Sequence, residues 1–231
     1  MLAVTGVLLM CDAGLTLVWQ EPLTAFQAGR AQNALEEQLG AQRAQAGDDV
    51  RALAQERNPR RRLAALARKA RARARTDRAI GRVELPTLER SYAIVQGIGT
   101  STLKRGPGHY PRSPFPGQGG TVAIAGHRTT YGAPFRTIDK LDRGDSIVLA
   151  MPYGRLTYAV TKTRIVVPTE LSVLKRVGYE QLVLTACHPL YSAARRIVVF
   201  ARLRSFEPAL GAPRPSQAAT RLAPKPTKAA R

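Results

Sequence analysis

Cysteine is almost missing from this sequence: 231 residues contain only Cys11 and Cys187. Two thiols in such different surroundings exclude a disulfide-stapled scaffold. Histidine is as scarce, with His109, His127 and His188 the whole supply. No Cys/His grouping has metal-ligand spacing, so no metal and no cofactor is expected. Acidic residues are outnumbered, 16 against 36 Lys and Arg, for a formal net charge of +20. That excess favours an anionic neighbour, whether nucleic acid, anionic lipid or an acidic wall polymer, without choosing among them. Aromatic residues make up 6% and are not interleaved with the basic run, which argues against nucleic acid as a partner. The stretch GPGHYPRSPFPGQGG is glycine-rich but has no Gly-Lys-Ser/Thr and no following helix, so it is not a phosphate loop.

One long apolar run is present, the 18 residues Leu2–Trp19. That is about the minimum for a membrane span. Asp12 interrupts it, at a cost of roughly 2.5–3.5 kcal/mol on insertion scales, and Trp19 sits at the exit, where its ring suits the interface. The following EPLTAFQAG offers no small-x-small cleavage site. The expectation is an uncleaved signal anchor over residues 1–26, a single pass with the rest of the chain on the extracellular face. A removed signal peptide and a soluble hydrophobic helix are the alternatives. Cys11 would then lie in lipid, out of reach of Cys187. The remaining thiol is either reactive or a strand cysteine packed as a small hydrophobe.

Residues 27–81 are rich in Ala, Gln, Glu and Arg, all strong helix formers. Asn58-Pro59 should divide them into two helices. Residues 51–82 hold twelve Lys/Arg against two acids and few large apolar side chains, so a solvated, basic helical spacer is expected. From Val83 the texture changes. Short β-rich runs (RVELP, SYAIVQGI, TVAIAGH, DSIVLAMP, RLTYAVTKTRIVVP, EQLVLTAC, RRIVVFARL) alternate with turn chemistry. Seven or eight such strands suggest a mainly β domain over 82–206, a closed barrel or a sandwich. Beyond it, residues 207–231 are proline-rich and aperiodic, and are expected to be a disordered tail.

A thiol nucleophile needs a base and a positive neighbour. His188 adjoins Cys187, but if the strand continues it points to the opposite face. His109 lies in the loop-like GPGHYP. His127 ends the apolar run TVAIAG, at a strand mouth, where barrels place active groups. A lone histidine there is ordinarily structural; the lone thiol is what promotes it to candidate base. Acyl transfer also creates an oxyanion, which a guanidinium can stabilise without losing its charge. Arg195 and Arg196 open the strand after Cys187, and alternation lets only one of them face the thiol. Both alternating sets behind them are apolar, so the pattern leaves that choice open. No acid stands by as an orienter of the histidine.

Three motifs together resemble the sortases, specifically the class E type of Gram-positive bacteria: KRGPGHYP at 104–111, AIAGHRTTYGAPF at 123–135 and LVLTACHPLYSAARRIVV at 182–199. The resemblance covers about residues 82–203 and the anchor-plus-spacer layout before them. It implies an eight-stranded sortase-type β-barrel, a membrane-anchored cysteine transpeptidase, and a catalytic set of Cys187, His127 and Arg196. It implies cleavage of a C-terminal Leu-Ala-x-Thr-Gly-like sorting signal between Thr and Gly on surface proteins. The Thr would then be joined to an amine of a cell-wall precursor or a pilin lysine. His109, Tyr110, Thr129 and Tyr131 are expected to frame the substrate groove, with Ala186 beside the nucleophile as a further substrate-binding position. Residues 166–178 are expected to wall the Leu-Ala end. Val183 and Ala186 depart from the family pattern, standing where threonines are usual. Two rival functions are a cysteine peptidase, in which water replaces the amine, and a non-catalytic basic wall- or lipid-binding protein.

Overall fold

The computed structural model describes residues 22–209. Residues 1–21 of the expected anchor, Cys11 among them, and most of the expected tail lie outside the described residues. Among the described residues no helix is long and apolar enough to cross a membrane.

Two helices come first, α1 (Pro22–Ala52) and α2 (Pro59–Arg73). They are separated where Asn58-Pro59 predicts. The Asn58 side chain caps α2, accepting from Arg60 N at 3.0 Å and Arg61 N at 3.2 Å, and Pro59 occupies the first turn, where its missing N–H costs nothing. The solvated spacer is corrected here, because both helices lie on the barrel. Leu35 and Leu39, one turn apart on α1, are buried against Ala79, Ala93 and Val95. Leu63, Leu66 and Ala67 of α2 join the main core. Asp49 of α1 pairs with Lys69 at 3.0 Å and with Arg73, tying the helices together.

Eight strands follow: β1 (Ala79–Leu85), β2 (Arg90–Gln96), β3 (Gly108–His109), β4 (Thr121–Ala125), β5 (Ser146–Met151), β6 (Gly154–Val166), β7 (Gln181–His188) and β8 (Arg195–Pro208). They close into a barrel in the order β1-β2-β3-β4-β7-β8-β6-β5. The pairs β2–β3 and β4–β7 are parallel; the others are antiparallel. The barrel begins at Ala79, three residues before the expected boundary, and β8 runs on to Pro208, beyond the expected 206. Gly154 pairs with Pro208, and Ala209 N still bonds Tyr153 O at 3.0 Å, so the expected tail begins inside the sheet.

The barrel interior takes one alternating set from each strand, including Val122 and Ile124 of β4, Leu182, Leu184 and Ala186 of β7, and Ile197, Val199 and Ala201 of β8. The other set of β7 and β8 is not solvated. Val183, Val198 and Phe200 pack outside the barrel with Val166 and Val173, and with partly buried Leu174. Val173 and Leu174 belong to the connection between β6 and β7, whose 3-10 turn Leu171–Leu174 folds back over the sheet. This second, outer core explains why both faces of these strands read as apolar.

Candidate active site

The parallel pair β4–β7 aligns Ala125 with Thr185, and Gly126 N continues the ladder to Thr185 O at 3.0 Å. Two residues further along each chain stand His127 and Cys187. Across the antiparallel pair β7–β8, Cys187 is directly opposite Arg196, and His188 is opposite Arg195. Facing residues on paired strands point to one side of a sheet. Cys187 and Arg196 therefore share the outer face with Val183, Thr185 and Val198, and the loop that carries His127 leaves β4 on the other flank of β7. Sequence alternation left two arginines open; the register brings Arg196 to the cysteine and Arg195 to the other face.

Cys187 is a free thiol, partly exposed. His127 Nε2 is buried and makes no hydrogen bond, and the His127 carbonyl accepts from Phe135 N at 3.0 Å. The imidazole packs on Tyr131, ring centroids 5.2 Å apart, and Lys104 Nζ lies 5.4 Å from the same Tyr131 ring. Burial holds the His127 pKa below the ordinary histidine value, and the Lys104 charge adds to the effect. The ring is thus predominantly neutral at neutral pH, with an unclaimed nitrogen available to take a proton. Arg196 Nη1 donates to Ala193 O and Arg195 O, both at 2.9 Å, which fixes the guanidinium on the β7–β8 turn. Its other N–H groups make no hydrogen bond among the described residues.

Sequence reasoning missed Arg128. Adjacent to His127, it is only 3% exposed. Its guanidinium donates to Arg136 O at 3.1 and 3.2 Å and pairs with Asp139 at 2.7 Å. Nη1 also reaches the Cys187 carbonyl at 3.5 Å and His188 Nδ1 at 3.2 Å. A buried charge this fully engaged ties the loop carrying His127 to the strand end carrying Cys187, so Arg128 is a positioning residue. The signal was a charge immediately after the strand-end histidine, which reads by default as solvent-exposed.

Of the expected groove residues, three fall on the outer face or beside it. Tyr110 N bonds Ala123 O at 3.0 Å and its hydroxyl lies 3.4 Å from Thr185 Oγ1. Tyr131 packs against His127 with its ring tilted, and Thr129 follows two residues after His127 on the same loop, half-buried. Two expectations are corrected. His109 is in β3 rather than a loop and is 1% exposed; its Nε2 donates to Pro114 O at 3.0 Å, and its Nδ1 is 3.0 Å from the Gln96 amide. Ala186 is buried among the interior residues, because adjacent strand positions face opposite sides and Cys187 faces out. Within 166–178, Val173 packs on Val183, Val198 and Phe200 of the outer face, and Thr121 Oγ1 donates to Lys175 O at 2.7 Å.

A family model for the sortase domain matches residues 83–204, more than half of the chain. Sortase D of Bacillus subtilis is 33% identical over 131 residues, 55% of this chain and 65% of that protein. Sortase SrtE1 of Streptomyces coelicolor is 31% identical over 142 residues, 54% of this chain and 40% of the relative. The match therefore spans less than two thirds of either relative. Among solved structures, sortase E from Streptomyces avermitilis is 35% identical, with a TM-score of 0.54 over 62% of this chain and 97% of that one. Sortase E1 from Streptomyces coelicolor, solved with a tripeptide in the active site, is 27% identical with the same TM-score, over 58% and 94%.

Proposed function

The chain belongs to the sortase family of cysteine transpeptidases, and from that premise we propose that it cleaves a Leu-Ala-x-Thr-Gly-like sorting signal between Thr and Gly. Cys187 gives its proton to His127 and its sulfur attacks the Thr carbonyl carbon. The resulting oxyanion is stabilised by Arg196. The C–N bond then breaks, and His127 returns the proton to the leaving glycine amine, which leaves the Thr acyl group on sulfur as a thioester. An acceptor amine attacks that thioester and loses a proton to His127, the C–S bond breaks, and Cys187 recovers its proton. The acceptor is an amine of a wall precursor or a pilin lysine, and residues 1–26 hold the chain in the membrane with the barrel outside.

The observation that supports this reading is the register: Cys187 lies opposite Arg196 across β7–β8, and the β4–β7 pairing ends at Ala125–Thr185, two residues before His127 and Cys187. The signal's acyl side runs down the β4–β7 floor beneath the β6–β7 connection, where Val173 and Leu174 provide an apolar wall. The test is product mass after incubation with a sorting peptide, with and without a nucleophilic amine. Transpeptidation joins the amine to the Thr carbonyl. Release of the free Thr acid alone, undiminished by amine, would make the protein a peptidase.

A further inference from the structure

One cavity on the outer face takes no part in the chemistry above. It encloses about 540 Å³, and its lining includes Tyr110, Arg112, Thr121, Leu174, Arg176 and, from α2, Arg71. No Asp or Glu lines it. Among the described residues none of the three arginines pairs with a carboxylate. Arg71 is held in place, donating to Ser113 O at 2.9 Å and to Gln118 Oε1 and Pro111 O at 3.3 Å each. Arg176 lies across Gly120, where a Cβ would come within 3.4 Å of its Nε. Glu180, nearby in the chain, is turned elsewhere: it accepts from Gly117 N and Gly119 N at 2.8 Å and from the Tyr158 hydroxyl at 2.6 Å. Three uncompensated guanidinium groups around one concavity attract and hold an anion.

The position of the cavity says which anion. Tyr110 is level with Ala123 and thus with Val183, four positions before Cys187; Thr121 is level with Gln181, six before it. At ~3.3 Å per residue the cavity begins roughly 13 Å and ends roughly 20 Å from the thiol, along the groove floor. A Leu-Ala-x-Thr segment with its Thr carbonyl at the sulfur uses about the first 13 Å. The cavity therefore meets the residues just before the signal. We propose that the Arg71–Arg112–Arg176 cavity binds acidic side chains immediately upstream of the sorting signal, so that substrates with such a flank are selected. The inference rests on the transpeptidase reading. Arg71 stands outside the family match of 83–204, so the preference belongs to this chain with its helical arm.

The test uses three sorting peptides that differ only in Glu-Glu, Gln-Gln or Lys-Lys directly before the signal. Turnover of the Gln-Gln peptide reads the transpeptidase assignment alone; the ratios between peptides read the cavity. Each exposed pair contributes little, so the expected gain of Glu-Glu over Gln-Gln in kcat/KM is about three- to tenfold at low salt. It should reside in KM and shrink towards unity near 1 M salt, where screening is within ~3 Å. The double variant Arg112→Gln/Arg176→Gln should level the three peptides, bringing the Glu-Glu to Gln-Gln ratio to about one whatever its absolute rate. Anisotropy of the labelled peptides gives the same ranking without turnover, so an inactive enzyme would still report on the cavity. Equal kcat/KM and equal binding for the three peptides would overturn the proposal. So would a preference that survives in the double variant, or inhibition by polyphosphate without any Glu-Glu preference, which would give the cavity to an anionic polymer.

Discussion

At the residue scale the account turns on which arginine serves the thiol. Arg196 faces Cys187 and Arg195 faces His188. Removing one oxyanion donor typically costs ~10²–10³ in turnover, and lysine lacks the planar fork that holds two oxygens. Arg196→Ala and Arg196→Lys should both lose turnover on that scale in single-turnover assays, while Arg195→Ala stays within several-fold of the parent; the reverse ranking would mean that the acting face is the other one. His109 makes a prediction of a different kind. Burial pushes its pKa from 6.5 to about 4. The unfolded state therefore binds the proton first, so stability is complete above pH ~6.5 and is lost as pH falls towards 4, on the order of 3 kcal/mol in all. His109→Gln should flatten thermal stability against pH across that window and leave the neutral-pH rate nearly unchanged. The thiol, the strand-end histidine and the arginine pair were legible because their residue types are scarce or adjacent. His109 and Ala186 were not, because burial and facing depend on strand neighbours distant in sequence. Nor was Arg128, whose partners come from two separate segments, 136–139 and the end of β7.

At the element scale the helical arm is the main surprise, and its cause lies in β3. That strand is two residues long, so the edge of β2 before it lacks a strand partner. The Gln32 side chain takes that place, accepting from Ala93 N at 2.7 Å and donating to Ala93 O at 3.2 Å and Arg105 O at 2.7 Å. Gln42 and Gln38 serve Ala79 in the same way, at 2.8 and 3.2 Å. Glutamines in an Ala/Arg-rich helix read as solvent-facing, yet here they complete a sheet edge, which is why the arm looked like a free spacer. Gln32→Ala leaves a partly buried N–H and C=O unmet and should lower stability by about 1–3 kcal/mol in chemical denaturation. Seven of the eight strands stood out by their β-rich runs. The two-residue β3 carries no periodicity to read, and the two-sided cover of β7 and β8 erased the alternation that normally marks the inner face.

At the scale of the whole molecule, a closed barrel with a basic helical arm carries the proposed catalytic residues at its strand ends, while residues 1–26 are proposed to fix it to a membrane. Full-length protein should sediment with membranes and a chain beginning near Gln27 should not; full-length protein recovered in the soluble fraction would contradict the anchor. The central claim, however, is chemical, and intact mass spectrometry of the protein mixed with a Leu-Ala-x-Thr-Gly peptide tests it most directly. The predicted result is an adduct of the peptide's acyl part on Cys187, with loss of the fragment that begins at glycine. It should be discharged by added amine and absent from Cys187→Ala. Transpeptidated product from Cys187→Ala, or amine joined to peptide with the adduct on another residue, would contradict the account.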